Sequence, residues 1–147
     1  MLLDWSEQFS VKIPKYDAQH RQLFSMIDNL QSAMEKREGS KVIHGILAEL
    51  IQYTNSHFSD EEEAMKRCGY PLFEEHRKEH LKLKETVKKY QDDLNAGRLV
   101  FTGSILNFLI NWLKEHIAKS DKKYTPFLSD CGRSANTIKQ GFSPAVK

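Results

Sequence analysis

The fold is decided by residues 41–67, which read KVIHGILAELIQYTNSHFSDEEEAMKR. Apolar side chains recur here three and four positions apart, which is the period of an amphipathic helix. They are Ile43, Ile46, Leu47, Leu50, Ile51 and Tyr53. The residues CGYP at 68–71 combine a glycine with a proline, and this combination predicts the end of the helix.

The same period appears in three further segments, at about residues 17–37, 71–96 and 103–126. Pro71 suits the first turn of the third helix, and we expect Pro126 to close the fourth. Four amphipathic helices with short connections predict an all-α fold, an up-down-up-down antiparallel four-helix bundle over residues 1–128.

Both ends of the chain lack helical spacing. Residues 1–15 carry apolar side chains without a helical period, so we predict an extended N-terminal arm that packs on the bundle. Residues 129–147 are polar and rich in small side chains, which predicts a flexible C-terminal tail.

Cys68 and Cys131 follow the second and fourth helices. We expect free thiols, with a redox-sensitive disulfide as the alternative.

Composition excludes several classes of protein. The 147 residues are 39% hydrophobic and 29% charged, which is typical of a single globular domain. No apolar run approaches the roughly 18 residues of a membrane span. The 22 basic and 20 acidic residues are interspersed, which argues against a nucleic-acid surface. Two cysteines and an N-terminus without an export pattern favour a cytoplasmic location.

The histidines and two carboxylates follow a spacing that predicts one site. In such a bundle, the starts of helices one and three meet the ends of helices two and four. The side chains at these positions are His20, His57, Glu61, His76, His80, His116 and Asp121. We therefore expect them to converge at one end, facing inward. His44 lies thirteen residues before His57, about 20 Å away along a helix, and is expected to be a boundary histidine without a ligand role.

Five imidazoles and two carboxylates in an apolar core are unfavourable unless a metal compensates them. Two six-coordinate metals need roughly twelve bonds, and the imidazoles, two bridging carboxylates and one bridging solvent oxygen supply about eleven. One open position is the mark of a functional site. These ligands suit iron, and also zinc, manganese or copper, so ligand type leaves the metal open.

The spacing of His116 and Asp121 conflicts with an ideal helix. Five residues turn the chain by about 140°, so the two side chains would not share a face. A π-type turn or an unwound last turn between them would bring them together.

The motifs DAQH at 17–20, HFSDEE at 57–62, His76-x3-His80 and WLxxHxxxxD at 112–121 closely resemble those of the bacterial hemerythrins. The resemblance extends from Trp5 to about Phe127. It implies a non-haem di-iron centre that binds dioxygen reversibly. By this resemblance, His76, His80 and His116 would bind one iron, and His20 and His57 the other. Glu61 and Asp121 would bridge the two irons together with an oxo or hydroxo group.

Several neighbouring side chains have a second possible role besides packing. Leu23, Phe58, Trp112 and Leu113 are core residues that would also wall an oxygen pocket and exclude water. Tyr124 lies near Asp121, either as a hydrogen-bonding neighbour of the site or as a helix-end aromatic. Of the acidic run at residues 60–63, only Glu61 is expected to face inward.

We expect a binding protein rather than an enzyme, one that serves dioxygen carriage, storage or sensing. The alternative is a di-iron oxidase or peroxidase of the ferritin-like type, whose sites are rich in carboxylates. A nitrogen-rich donor set favours return to the ferrous state and therefore reversible binding. Dioxygen is the expected partner, without nucleic acid or membrane, and the sequence identifies no protein partner.

Overall fold

A computed structural model of the protein describes residues 4–141, with side chains for residues 4–131. The described part is helical and contains no strand. Helix α1 spans Pro14–Glu35, α2 spans Ser40–Arg67, α3 spans Phe73–Asn95 and α4 spans Gly103–Glu115. The predicted four-helix bundle is confirmed, with helix ends within a few residues of the expected positions.

The fourth helix of the bundle is longer than predicted. A π-helical turn, His116–Asp121, joins α4 to a further helix, α5, at Lys122–Gly141. Pro126 lies inside α5, so the expectation that it closes the helix is wrong. Proline removes one backbone donor, and buried packing of Tyr124 and Leu128 on either side holds the helix through that position.

Short connections make sequential helices antiparallel neighbours. Gly69 and Gly97 take the left-handed conformation just after α2 and α3, with φ of 67° and 76°. Glycine adopts this conformation without a Cβ penalty, and it lets the chain reverse within a few residues. The apolar stripes of the helices meet in one core. Among residues 4–141, no helix is long and apolar enough to cross a membrane.

The predicted N-terminal arm packs against the bundle but is not fully extended, because Glu7–Phe9 form a 3-10 turn and α1 begins at Pro14, within residues 1–15. Phe9 and Val11 are buried. The carboxylate of Asp17 accepts hydrogen bonds from Ser10 Oγ at 2.6 Å and from the Val11 backbone N–H at 2.8 Å. These bonds tie the arm to the first turns of α1, which starts at Pro14.

The C-terminal segment differs from the predicted loose tail in two ways. Residues 129–141 continue α5 as a helix, while residues 142–147 lie outside the described part of the chain. Cys68 and Cys131 form a disulfide with their Cα atoms 5.7 Å apart, so the expectation of free thiols is wrong. The continued helix explains this, because it carries Cys131 alongside the end of α2.

Candidate metal centre

All four helices of the bundle contribute to one buried cluster of side chains. Helix α1 supplies one histidine, α2 a histidine and a glutamate, α3 two histidines, and the π-turn a histidine and an aspartate. The members are His20, His57, Glu61, His76, His80, His116 and Asp121, none more than 4% exposed. The structure thus brings together every side chain that the spacing placed at this end of the bundle.

The π-turn produces the local geometry that an ideal helix could not. His116 is its first residue and Asp121 its last. A π-helix turns less per residue than an α-helix, so five residues here return the chain to the same side. His116 Nε2 consequently lies 3.0 Å from Asp121 Oδ1. Of the two irregular endings that the spacing predicts, a π-type turn or an unwound last turn, the π-type turn is the one observed.

The cluster divides into two groups that share Glu61 and Asp121. One group adds His76, His80 and His116, and the other adds His20 and His57. Within each group, the potential ligand atoms lie within 4.8 Å of one another. Asp121 spans the groups, since its Oδ1 lies 2.9 Å from His76 Nε2 and its Oδ2 lies 3.1 Å from His20 Nε2.

The donor atoms of this cluster fit metal ions. Both ring nitrogens of His20, the Nε2 of His76, the Oε1 of Glu61 and both carboxylate oxygens of Asp121 are buried without a hydrogen-bond partner. Their close approaches lack hydrogen-bond geometry, and so many unpaired polar atoms would be costly in a core. Cations between them would satisfy these lone pairs.

The Nδ1 atoms of three histidines face acceptors outside the cluster. Glu62 lies 2.8 Å from His80 Nδ1, and Glu79 lies 3.0 Å from His116 Nδ1. A proton on each Nδ1 leaves the two Nε2 lone pairs facing each other, 3.0 Å apart. Such an arrangement is repulsive unless a cation lies between them. Gln19 Oε1 similarly faces His57 Nδ1.

Tyr124 also holds one of the shared carboxylates. Its fully buried hydroxyl donates a hydrogen bond of 2.5 Å to Glu61 Oε2. Of the two roles considered for Tyr124, hydrogen bonding at the site is the one observed. The partner of its hydroxyl is Glu61 and not Asp121, which is closer in sequence.

The electrostatics reflect close packing of imidazoles and carboxylates. Burial opposes protonation of His20, but the neighbouring carboxylates of Asp121 and Glu61 outweigh it and raise its pKa to about 9. Burial likewise opposes protonation of His116, yet the charge of Asp121 raises its pKa to about 10. In turn, the pKa of Asp121 is lowered against the effect of burial, chiefly by His116. Without metal, protons occupy the cluster.

An apolar cavity of about 40 Å³ lies beside the cluster. Leu23, Phe58, Trp112 and Leu113 all line it. Two of these rings also stack on histidines of the cluster: Phe58 on His80 with ring centroids 3.7 Å apart, and Trp112 on His116 at 4.4 Å. The four predicted pocket residues therefore face one cavity.

His44 lies outside both groups. It is half-buried near the start of α2 and lines a separate concavity of about 440 Å³ that also contacts Met34 and Phe101. This position agrees with the expectation that it has no part in the cluster.

The acidic run at residues 60–63 is less exposed than the sequence led us to expect. Glu62 bonds His80, and the side chain of Asp60 accepts a hydrogen bond from Gln19 Nε2 at 2.9 Å. Only Glu63 of the three other carboxylates is exposed. Glu62 and Glu79 were missed because each adjoins a cluster residue in sequence, and adjacency does not indicate which neighbouring helix a side chain faces.

Comparisons with known proteins agree over nearly the whole bundle. A family model described as hemerythrin HHE cation binding domain matches residues 11–128. Bacteriohemerythrin of Methylococcus capsulatus is 33% identical over 129 residues, covering 87% of this chain and 98% of the relative. Bacteriohemerythrin of Stenotrophomonas maltophilia is 31% identical over 123 residues, covering 84% and 79%. A solved structure of wild-type hemerythrin has a TM-score of 0.84 and 32% identity, covering 88% of this chain and 99% of that one.

Proposed function

Since the chain belongs to the hemerythrin family, we propose that it binds dioxygen reversibly at two iron ions held by the buried cluster. The observation that carries this proposal is the division of seven donor side chains into two groups that share two carboxylates. Each group offers imidazole nitrogen and carboxylate oxygen, a donor set that suits iron.

The assignment of ligands follows the two groups. His76, His80 and His116 would hold one iron, and His20 and His57 the other. Glu61 and Asp121 would bridge the ions, together with an oxo or hydroxo group. The group with two histidines offers fewer protein donors, so an iron held there would have room for an external ligand. When bound, two ferrous ions would supply the two electrons that reversible dioxygen binding requires.

Residues around the cluster keep the donors oriented. Glu62 and Glu79 accept from the Nδ1 atoms of His80 and His116, which fixes their tautomers and points their Nε2 atoms inward. Tyr124 holds the Glu61 carboxylate from the opposite side. The chain thus presents a pre-organised set of donors rather than recruiting them from the surface.

The apolar cavity supports binding of a small neutral gas. Its volume of about 40 Å³ exceeds the roughly 10–15 Å³ that a single water requires, but its walls offer few hydrogen-bond partners for a water molecule. Leu113 and Trp112 would keep water from the site and so slow irreversible oxidation of the iron.

The donor set favours a binding protein over an oxidase. Five of the seven donors are imidazoles, which bind metal in their neutral form, whereas ferritin-like oxidase sites are rich in carboxylates. Carriage, storage and sensing of dioxygen are each compatible with such a site. The cytoplasmic location and the lack of nucleic-acid or membrane partners stay predictions from the sequence.

Metal analysis tests the assignment of ligands. The purified protein should hold about two irons per chain, as two donor groups require. His80→Ala should lose most of this iron, while His44→Ala, at the other end of α2, should keep it. Equal iron loss in both variants would contradict the proposed site.

Gas cycling then separates a carrier from an enzyme. Reduced protein is exposed alternately to air and argon while its absorption spectrum and the peroxide in solution are followed. Repeated recovery of the diferrous spectrum supports reversible binding. Stoichiometric peroxide release or substrate oxidation on the first exposure, without recovery, would instead favour the oxidase.

A further inference from the structure

The apolar cavity adjoins the protein surface between α2 and α3. A surface depression of about 270 Å³ lies there, and it shares four lining residues with the cavity. These four, which we call the α2–α3 entrance, are Ile51, Asn55, Lys84 and Val87. The depression and the cavity therefore adjoin at these four side chains, which lie where a small ligand could pass from one to the other.

Lys84 brings a positive charge to this entrance. Its Nζ lies 5.9 Å from the ring centroid of Phe58, which is only 1% exposed and stacks on His80. In the described part of the chain, no carboxylate oxygen lies within 4.0 Å of this ammonium. Glu62 is near enough for Lys84 to contribute to lowering its pKa, but its carboxylate is bonded to His80.

Lys88, one turn further along α3, differs from Lys84 in its exposure, in the space it lines and in having an ion-pair partner. It is exposed, lines only the outer depression, and its Nζ pairs with Asp92 at 2.9 Å. The two lysines thus provide a matched comparison, since they share a helix face and a charge but not the contact with the cavity.

We propose that Lys84 determines which ligands pass the α2–α3 entrance, admitting small monovalent anions faster than neutral molecules of similar size. The inference rests on the proposed function, because the cavity must lead to bound iron for entry to matter. Three charged side chains line the outer depression, Lys84, Glu85 and Lys88, and of these Lys84 is the one that also lines the cavity. A cation beside a low-dielectric cavity attracts anions and leaves an uncharged gas unaffected. The oxidised protein would accordingly draw small inorganic anions from solution through this entrance.

Ligand association in the iron-loaded protein tests the proposal. Azide is mixed with the oxidised protein and dioxygen with the reduced protein, in wild type, Lys84→Met and Lys88→Met. We expect Lys84→Met to slow azide association about tenfold at low salt, with the difference shrinking in roughly 1 M salt. Its dioxygen association should stay within about twofold of wild type, and Lys88→Met should leave both rates unchanged. Equal slowing of azide and dioxygen, or equal effects of the two lysine variants, would overturn the proposal.

A second measurement does not depend on iron. In a Trp5→Phe background, Trp112 is the remaining tryptophan; it lines the cavity and also a surface depression beside Glu79 and Lys119. Its fluorescence in metal-free protein, checked for helical circular dichroism, is quenched with iodide and with dioxygen. Quenching from that surface depression should be the same in Lys84→Met and Lys88→Met, so the difference between these two variants reports the entrance. Lys84→Met should reduce quenching by iodide and spare quenching by dioxygen. If the chain binds no iron, the proposed function fails while this result still decides the role of Lys84. If it binds iron and neither experiment separates anion from gas, only the role of Lys84 is refuted.

Discussion

Tyr124→Phe isolates one hydrogen bond at the centre of the cluster. The change removes the hydroxyl that donates to Glu61 at 2.5 Å and keeps the ring, and both residues are 0% exposed. A hydrogen bond to a charged group contributes about 1.5–3 kcal/mol. We expect the iron-loaded variant to lose about that much free energy of unfolding. For a domain of this size, the melting temperature should fall by roughly 3–12 °C.

Tyr16→Phe is the matched control. The Tyr16 ring packs against Tyr124 with centroids 5.8 Å apart, but its hydroxyl donates a longer bond of 3.3 Å to the backbone carbonyl of Asp60. Losing a neutral bond of this kind should cost no more than about 1 kcal/mol. The assay is thermal and urea unfolding of both variants after their iron contents have been matched. Equal losses in the two variants, or none in Tyr124→Phe, would refute the charge-assisted bond.

Three further outcomes are expected. Leu113→Ala should lower the free energy of unfolding by about 2–5 kcal/mol. It should also speed conversion to the diferric form in air, followed by absorbance, without loss of iron. An unchanged rate of this conversion would show that Leu113 does not exclude water. Ferrous iron uptake at pH 7 should release about two protons, because His20 and His116 have pKa values near 9 and 10 without metal and must lose their protons to bind it. Affinity should therefore rise from pH 6 to pH 8, and calorimetry in two buffers that shows no proton release would contradict this. The Cys68–Cys131 disulfide closes a loop of 63 residues, so its reduction should lower the free energy of unfolding by ~4 kcal/mol. Urea unfolding with and without reductant measures this loss, and coincident unfolding curves would exclude it.

The sequence predicts the features that depend on positions along a helix. The apolar period predicts the four helices. The position of each histidine near the start or the end of its helix predicts which side chains meet, as it does for His20, His57, His76 and His116. Even the π-turn is predictable, because five residues between His116 and a second inward-facing group do not fit an α-helix.

Features that depend on how each helix is rotated and where it ends were not predictable in the same way. Glu62 lies one residue beyond Glu61, and only the placement of α3 decides that it reaches His80 rather than solvent. The disulfide depends on α5 continuing through Pro126, which local preferences argue against. In each case a contact between helices overrides a local signal.

The π-turn has a consequence well beyond the pair of side chains it brings together. It absorbs one surplus residue, so every position after it is rotated back by about 100° relative to an unbroken α-helix. With that rotation, Asp121, Tyr124, Leu128 and Cys131 all fall within about 40° of the direction of His116, whereas an unbroken helix would spread them about 60° to 140° away from it. Despite the surplus residue, the π-turn thus keeps the Asp121 carboxylate, the tyrosine that bonds Glu61, a core leucine and a disulfide cysteine along one edge of the helix. Deleting one residue between 117 and 120 would remove the surplus, and a regular α-helix would then present the same edge to the bundle, whereas inserting one more residue would turn that edge by about 100° unless a second irregular turn absorbed it.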